Sequence, residues 1–270
     1  PSISNYPFAD PFLMWHIALD AGNQGAAFLM MSNAKADALN IPEAARVYLH
    51  GGGEASDDFI SERPVLDGSW AMQTAIHRAL EQAGCSPDEI DTFDLYSCFP
   101  CAVFSSMAVL GIEHETETRP LTLTGGLPFF GGPGNNYSMH GIVSMTEWLR
   151  AHPGKSGLVL ANGGWMTKEA VGIWSTEKPE AFKPVASMAK PTETVALDAA
   201  PSQGTVETYT VTYGRDGPMS GIIFARTDAG DRFIAVAAPD AMPRLLEEES
   251  PVGQRVSVTT DNERNTFEFI

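Results

Sequence analysis

The sequence predicts an α/β fold followed by a small antiparallel β-barrel, with the OB type as the candidate form of the barrel. Three strand-like segments each end in glycines or small polar residues, and α/β folds place such loops at the carboxyl ends of their strands. Residues 205–270 hold four or five short β-rich runs with turn residues between them, which predicts the barrel. A stretch rich in Pro, Ala and Thr at 179–204 is typical of a linker between the two parts.

The first half of the α/β part contains two predicted strands and one clear helix. Asp20–Ser32 is a turn followed by a near-continuous apolar run, which is typical of a central buried strand. Arg46–His50 is rich in β-branched and aromatic residues, and Gly51–Gly53 would form a flexible loop at the end of that strand. Asp67–Ala83 has an apolar helical face, and Gly84 lies where a C-cap glycine belongs.

The second half repeats the alternation of strand and helix. Asp91–Ser97 is strand-like and Cys101–Leu110 reads as a buried helix, so Tyr96 falls at a strand-to-helix junction, where α/β folds carry their chemistry. Ser156–Asn162 is a strand that ends in glycines and is followed by a return strand. The β-rich runs of the C-terminal part are Thr205–Tyr213, Ser220–Thr227, Arg232–Ala237 and Arg255–Thr260.

Between these halves lies the most glycine-rich segment of the chain, Thr122–Gly141. It holds six glycines, two prolines and the adjacent Asn135 and Asn136, so we expect a shaped loop rather than a helix or a long strand. An amphipathic helix capped by one of these asparagines is expected to follow. A glycine loop before a helix N-terminus can hold an anion or an acyl group, and it can equally be a tight structural connection.

Composition limits the partners that the chain can have. The 270 residues carry a formal net charge of −17 and a pI near 4.6, which argues against nucleic acid or an anionic membrane as a partner. The acidic stretches of the C-terminal β part likewise disfavour nucleic acid as its ligand. With 17 Lys and Arg residues, a phosphorylated ligand would require a local basic patch.

The three cysteines indicate a reducing, cytoplasmic setting. Cys98 and Cys101 have the C-x-x-C spacing of redox and zinc motifs, but no second such pair accompanies them, so no metal site is predicted. A thioredoxin-like site and a buried pair of small side chains both remain open. The longest apolar run, Gly25–Met31, is too short to span a membrane, and no segment reads as a signal peptide.

Four segments together resemble the C-terminal half of a thiolase, of the kind that carries an extra C-terminal domain. They are NQGAAFLMMS, AIHRALEQAGCSPDEIDTFDLYSCFP, TGGLPFFGGPGNNYSMHG and GLVLANGG, in this order along the chain. The resemblance implies a layered α-β-α fold at 41–178, with 1–40 as the last strand and helix of an N-terminal half. It leaves 179–204 as the linker and 205–270 as the small β domain.

The resemblance also assigns site positions, and several depart from the family pattern. Tyr96 replaces the Asn or His that helps to hold the oxyanion-hole water, and a phenol can also donate a hydrogen bond. Gly132 occupies the position of the catalytic histidine, and Ala161 that of the second acid/base cysteine. His140 and Asn162 are the candidates to fill these positions, although a buried or capping His140 is the alternative.

The glycine loop is the part of the site that the resemblance would place against the acyl-CoA. Four of its glycines are the candidate binding residues: Gly125, Gly126, Gly131 and Gly132. Acyl-CoA or CoA is then expected as a substrate, with no tightly bound cofactor.

Two functions follow from the resemblance. One is an acyl-CoA C-acyltransferase, or a related enzyme of carbon-carbon bond chemistry in lipid or sterol metabolism, with non-standard catalytic motifs. The other is a catalytically inactive acyl-CoA-binding scaffold, which the replacements at Gly132 and Ala161 favour. The family's nucleophile lies in the N-terminal half, so we expect the isolated chain to be inactive and to act as a homodimer or with the missing half.

Overall fold

The computed structural model describes residues 2–20, 22–181, 189–191, 193–247 and 249–270. The chain divides into two compact units. The larger unit comprises Ile17–Asp57 and Asp67–Lys190, and the smaller comprises Pro1–His16, Asp58–Leu66 and Pro191–Ile270. In the described ranges, no helix is both long and apolar enough to cross a membrane.

Most strands and helices lie at the positions that the sequence patterns predict. The strands are β1 (Pro7–Ala9), β2 (Phe12–Leu13), β3 (Tyr48–Ser56), β4 (Thr92–Asp94), β5 (Ser156–Gly163), β6 (Lys168–Ser175), β7 (Gln203–Gly214), β8 (Gly217–Arg226), β9 (Arg232–Ala237), β10 (Arg255–Asp261) and β11 (Arg264–Phe269). The α-helices are α1 (Asn33–Ala38), α2 (Trp70–Ala83), α3 (Pro100–Leu110), α4 (Leu127–Phe130), α5 (Tyr137–Ala151) and α6 (Met242–Leu245).

A four-stranded sheet in the order β3-β6-β5-β4 forms the centre of the larger unit. Strand β6 is antiparallel to β3 and β5, and β4 is parallel to β5. Side chains alternate across the sheet as strand geometry requires. Leu158 and Leu160 pack with α2 and α3, whereas Val159 between them packs with α5. The predicted α-β-α arrangement is therefore confirmed.

Helix α2 begins and ends as the sequence pattern predicts. The Ser69 hydroxyl accepts a hydrogen bond from the Met72 N–H at 3.1 Å, and Gly84 ends the helix in the left-handed region with φ 69°. Helices α3 and α5 and the hairpin of β5 and β6 likewise match their predicted segments. The predicted strand at Asp91–Ser97 is shorter, because only Thr92–Asp94 pairs as a strand with β5.

The prediction that Gly51–Gly53 forms a loop is wrong, because all three glycines lie within β3. Helix α2 packs directly on this strand: a Cβ atom added to Gly51 would collide with the carbonyl oxygen of Ala79, and one added to Gly53 with that of Ala75. These two glycines permit the backbones of helix and strand to approach each other, whereas Gly52 points away from the helix.

The prediction of a central buried strand at Asp20–Ser32 is also wrong. Residues 22–32 form no strand, and the short helix α1 follows them. Leu29 is 89% exposed and Met30 is 70% exposed. A buried strand requires hydrogen-bonded neighbours on both edges, and none of the described strands pairs with this segment.

Residues 122–136 form a loop, as predicted, which contains two short helical turns, and the predicted helix follows from Tyr137 as α5. Helix α4 is a single turn, and Gly134–Asn136 is a 3-10 turn that leads into α5. Positive φ values of 97°, 84° and 109° at Gly125, Gly126 and Gly131 flank α4, where residues with side chains would be strained.

Five strands of the smaller unit pair in a closed ring. Strands β7, β8 and β9 form an antiparallel meander, β9 pairs in parallel with β11, β11 pairs with β10, and β10 returns to β7. These strands enclose a core that includes Val211, Ile223, Phe233, Val256 and Phe267. The small antiparallel β-barrel at 205–270 and its assignment to the OB type stay predictions, and the pair of β9 and β11 departs from the antiparallel pattern. The hairpin of β1 and β2 pairs with the edge of β7.

Fully buried Arg232 ties three segments of the smaller unit together. Its guanidinium donates to both carboxylate oxygens of Glu207, at 2.6 and 2.9 Å, and to the carbonyl oxygens of Ser61 and Arg63, at 2.9 and 2.6 Å. Burial alone would raise the pKa of Glu207, but hydrogen bonds from Arg232 and Arg226 outweigh burial and lower it.

Part of the predicted linker lies against the same unit. The Asp198 N–H donates to the Arg232 carbonyl at 2.9 Å, and the Val195 N–H donates to the Glu62 carbonyl at 2.8 Å. Residues 182–188 and 192 of the predicted linker lie outside the described residues. The domain boundaries at 1–40, 41–178, 179–204 and 205–270 stay predictions.

The close contact of α2 with β3 generates a first prediction. Gly53→Ala should lower the free energy of unfolding by about 1–3 kcal/mol or more, because its methyl group meets a helix backbone that cannot move away. Gly52→Ala is the matched control, since the nearest atom to its new Cβ lies at 3.7 Å. Urea unfolding of both variants tests this, and equal stabilities would contradict the close packing.

The buried arginine generates a second prediction. Arg232→Met should lower the free energy of unfolding of the smaller unit by about 3–5 kcal/mol, because Glu207 loses a charged partner and the carbonyls of Ile60, Ser61 and Arg63 lose a donor. The control is Arg255→Met, which breaks an exposed pair with Asp228 and should have a much smaller effect. Denaturant unfolding of both variants, monitored by hydrogen exchange in β7–β9, measures the two stabilities. Similar losses of stability in the two variants would show that Arg232 contributes no more than an exposed ion pair.

Candidate functional site

The larger unit contains a pocket of about 640 Å³ at one end of its sheet. The hairpin of β5 and β6 forms one wall through Ala161–Gly163 and Lys168–Ala170, and the end of β3 adds Glu54–Ser56. Tyr96, Arg78, Gly134, Asn135 and Ser138 complete the lining. A pocket of this size suits a small organic ligand.

Two of the predicted catalytic residues lie in this one pocket. Tyr96 follows β4 and Asn162 ends β5, and both line the cavity together with Ala161. The parallel pairing of β4 with β5 brings these two strand ends to the same edge of the sheet. Tyr96 and Asn162, which are 66 positions apart in the sequence, are thus neighbours in the fold.

Gly132 and His140 are not among the residues that line the pocket. The His140 ring packs against Phe130 with ring centroids 5.3 Å apart, and its Nε2 lies 3.5 Å from the Asn136 side-chain nitrogen. Its position is that of a half-buried packing residue, which is the alternative considered from the sequence. Two other residues of Thr122–Gly141, Asn135 and Ser138, line the pocket instead.

The glycine loop directs most of its backbone donors inward. The N–H of Gly125 donates to the Thr122 carbonyl at 3.1 Å, and that of Gly132 to the Leu19 carbonyl at 2.7 Å. Gly126 donates to the Thr124 hydroxyl at 3.2 Å. These three donors are occupied within the protein, so the role of the loop glycines in ligand binding stays a prediction.

A buried polar network of Asp94, Thr124 and Tyr137, which the sequence did not predict, stabilises the glycine loop. Asp94 is fully buried, and one carboxylate oxygen accepts from the Thr124 N–H at 3.0 Å and from the Thr124 hydroxyl at 2.9 Å. The same hydroxyl lies 2.7 Å from the Tyr137 hydroxyl. Burial raises the pKa of Asp94, against the opposing effect of the Thr124 hydrogen bonds.

This network reaches the pocket through aromatic packing. The Tyr137 ring meets the Tyr96 ring edge to face, with centroids 5.3 Å apart. Burial raises the pKa of Tyr96, so its phenol stays protonated at neutral pH and can act as a hydrogen-bond donor. The sequence carried only a weak signal for Asp94, which is an acidic residue in the middle of a predicted strand and at the end of β4.

The cysteines next to the pocket are free thiols. Cys98 is largely buried, and this burial raises its pKa to about 11. A thiol with so high a pKa has little thiolate at neutral pH, and thiolate is the nucleophilic form. Among the described residues, no group of three or more His, Cys, Asp or Glu side chains could hold a metal ion.

Comparison with known proteins gives the class of this fold. The chain aligns along its whole length with the crystal structure of a monomeric SCP2-thiolase like protein type 1 from Mycobacterium smegmatis, at a TM-score of 0.91 and 40% identity, and covers 60% of that chain. Residues 184–263 match the family described as "Thiolase-like protein type 1 additional C-terminal domain". These similarities support a thiolase-superfamily protein with an extra C-terminal domain.

Curated relatives agree with this class. A protein named "Acetyl-CoA acetyltransferase ERG10, cytosolic" from Gibberella zeae is 24% identical over 144 residues, which are 53% of this chain and 33% of that protein. "Probable acetyl-CoA acetyltransferase" from Dictyostelium discoideum is 26% identical over 144 residues, which are 53% of this chain and 32% of that protein. The chain spans about a third of each, and it carries the extra C-terminal domain of the type 1 thiolase-like proteins.

The raised pKa of Cys98 generates a third prediction. Alkylation of Cys98 by iodoacetamide should be slow at pH 7.5 and rise about tenfold per pH unit up to pH 10, because the thiolate fraction grows until pH reaches the pKa. Mass spectrometry of the Cys98 peptide measures the rate, with circular dichroism to verify folding. A plateau below pH 9, as in an ordinary thiol, would contradict this and support an activated or redox-active cysteine.

Proposed function

We propose that this chain binds the thioester of an acyl-CoA in the Tyr96 pocket and serves carbon-carbon bond formation or cleavage, as an acyl-CoA C-acyltransferase or a related enzyme of lipid or sterol metabolism. The observation that carries the proposal is the meeting of Tyr96 and Asn162 in one pocket of a thiolase-type sheet. Two curated relatives are named acetyl-CoA acetyltransferases, which supports acyl transfer as the reaction class.

The geometry suits stabilisation of a negatively charged oxygen. Carbon-carbon chemistry next to a thioester places charge on the thioester oxygen, and neutral donors held in place lower the energy of that state. The Tyr96 phenol, kept protonated by burial, and the Asn162 amide are two such donors. The Tyr137 ring packs against the Tyr96 ring, and the hydrogen bonds that link Tyr137 to Thr124 and Asp94 fix its position.

The pocket lacks a nucleophile of its own in this proposal. Ala161 lies in its wall and cannot transfer a proton, and the pKa of the Cys98 thiol is too high for it to act as a thiolate. At Gly132 a Cβ atom would lie 3.1 Å from the Leu19 carbonyl oxygen, so the backbone leaves little room for a histidine there. The nucleophile would therefore come from an N-terminal thiolase half.

The same observations favour a second candidate function. A thiolase-type pocket with Ala161 in place of an acid/base residue can bind an acyl-CoA without reacting with it. The chain would then be a catalytically inactive acyl-CoA-binding scaffold. Binding without turnover distinguishes this candidate from the enzyme.

The expected partners are proposals as well. The solved relative is described as monomeric and is longer than this chain. Of the two assemblies expected from the sequence, this favours pairing with an N-terminal half on the same polypeptide over a homodimer. Acyl-CoA is proposed as the substrate, with no tightly bound cofactor and no nucleic acid, and the setting is proposed to be cytoplasmic.

The fourth prediction tests the role of Tyr96. The chain should bind acetyl-CoA in isothermal titration calorimetry but release no CoA alone, and release should begin when an N-terminal thiolase half is added. Tyr96→Phe should then reduce kcat about 100- to 1000-fold, because one donor to the oxyanion is lost. Tyr209→Phe, in the other unit, is the control.

Each outcome of this test is informative. Binding without CoA release in any combination would favour the scaffold. Absence of binding would contradict both candidate functions. CoA release by the chain alone would show that the nucleophile lies in this unit after all.

A further inference from the structure

Two cationic side chains line the proposed thioester pocket, in a protein with twice as many acidic as basic residues. Arg78 lies on α2 and Lys168 lies at the start of β6. They approach the cavity from different elements, so the pocket has a basic side that composition alone does not predict.

Neither cation forms a salt bridge with a carboxylate in the described part of the chain. The Arg78 guanidinium donates once, to the backbone carbonyl of Glu54 at 3.2 Å, and its Nε–H is buried with no partner among the described residues. Lys168 forms no ion pair there. Six other arginines, by contrast, form ion pairs, namely Arg46, Arg119, Arg226, Arg232, Arg244 and Arg255.

The Nε–H has no accessible surface, so a ligand would be bound through the two terminal nitrogens, and Nη2 forms no hydrogen bond among the described residues. A guanidinium fork fits the two oxygens of a carboxylate. Glu54 and Glu169 also line the cavity and offset its two positive charges. Because these two carboxylates repel an anion, a ligand with one negative charge is favoured over a phosphate with two charges.

We propose that Arg78 and Lys168 bind a carboxylate at the far end of the acyl group, so that the preferred ligands are thioesters of dicarboxylic acids. The inference rests on the proposed function, because the thioester is placed at Tyr96 and Asn162. A pocket of about 640 Å³ holds a short acyl chain between these two groups.

Calorimetric binding of glutaryl-CoA and pentanoyl-CoA tests this, since the two acyl groups have equal carbon number and differ in the terminal carboxylate. We expect glutaryl-CoA to bind roughly 10- to 100-fold more tightly, because a hydrogen-bonded ion pair between its carboxylate and Arg78 adds to the binding free energy. Arg78→Gln should abolish the preference, and Arg78→Lys should retain part of it.

The matched control is Arg150→Gln, because Arg150 is held by the Ala45 carbonyl and does not line the pocket. This variant should keep the full preference. Lys168→Gln should reduce the preference in the same direction as Arg78→Gln, and it serves as the second variant if Arg78→Gln does not fold. Circular dichroism verifies folding of each variant.

Free glutarate and free CoA separate the remaining outcomes. Equal binding of the two thioesters would overturn the carboxylate site and leave the proposed function standing. An equal loss of CoA and of both thioesters in Arg78→Gln would overturn it too, since the cations would then bind a CoA phosphate. Binding of glutarate that depends on Arg78, without binding of any CoA species, would support the site and contradict the proposed function. Binding of no ligand would overturn both.

Discussion

The close contact between helix α2 and strand β3 is the constraint on which the larger unit depends. Gly51 and Gly53 leave no atoms between the strand and the helix carbonyls of Ala79 and Ala75. This contact sets the height of α2 above the sheet, and the buried helix face then packs on the apolar side chains of β5 and β6. It also fixes Arg78, which lies on the same helix, at the edge of the pocket.

The positions of most helices and strands could be predicted from the sequence, because local periodicity carries their signal. The pattern at Asp67–Ala83, with Gly84 after it, specifies a capped amphipathic helix without any tertiary information. The alternating C-terminal runs similarly specify short strands. The closure of these strands into a ring depends on the parallel pair of β9 and β11, which no local pattern encodes.

The predictions that failed concern residues whose conformation is decided by distant neighbours. Three successive glycines are typical of a loop, and only the approach of a helix makes them part of a strand. An apolar run such as Gly25–Met31 is typical of a buried strand, but a strand forms only where another strand supplies hydrogen bonds. Asp94 and Thr124, which are 30 positions apart in the sequence, form their network only after β4 and the glycine loop have come together.

The buried network and the pocket have different physical roles: the network stabilises the loop, and the pocket presents polar groups to a ligand. The network places a carboxyl group and two hydroxyl groups in a region without solvent, and the hydrogen bonds of Thr124 with one Asp94 oxygen and with Tyr137 restrict the arrangement of the loop. The pocket, by contrast, is lined by three residues with polar donors, namely the Tyr96 phenol, the Asn162 amide and the Arg78 guanidinium, which forms one hydrogen bond among the described residues. A rigid support combined with polar donors on the pocket wall is the arrangement that binding of an oxygen-rich ligand requires, since the ligand supplies acceptors without reorganising the site.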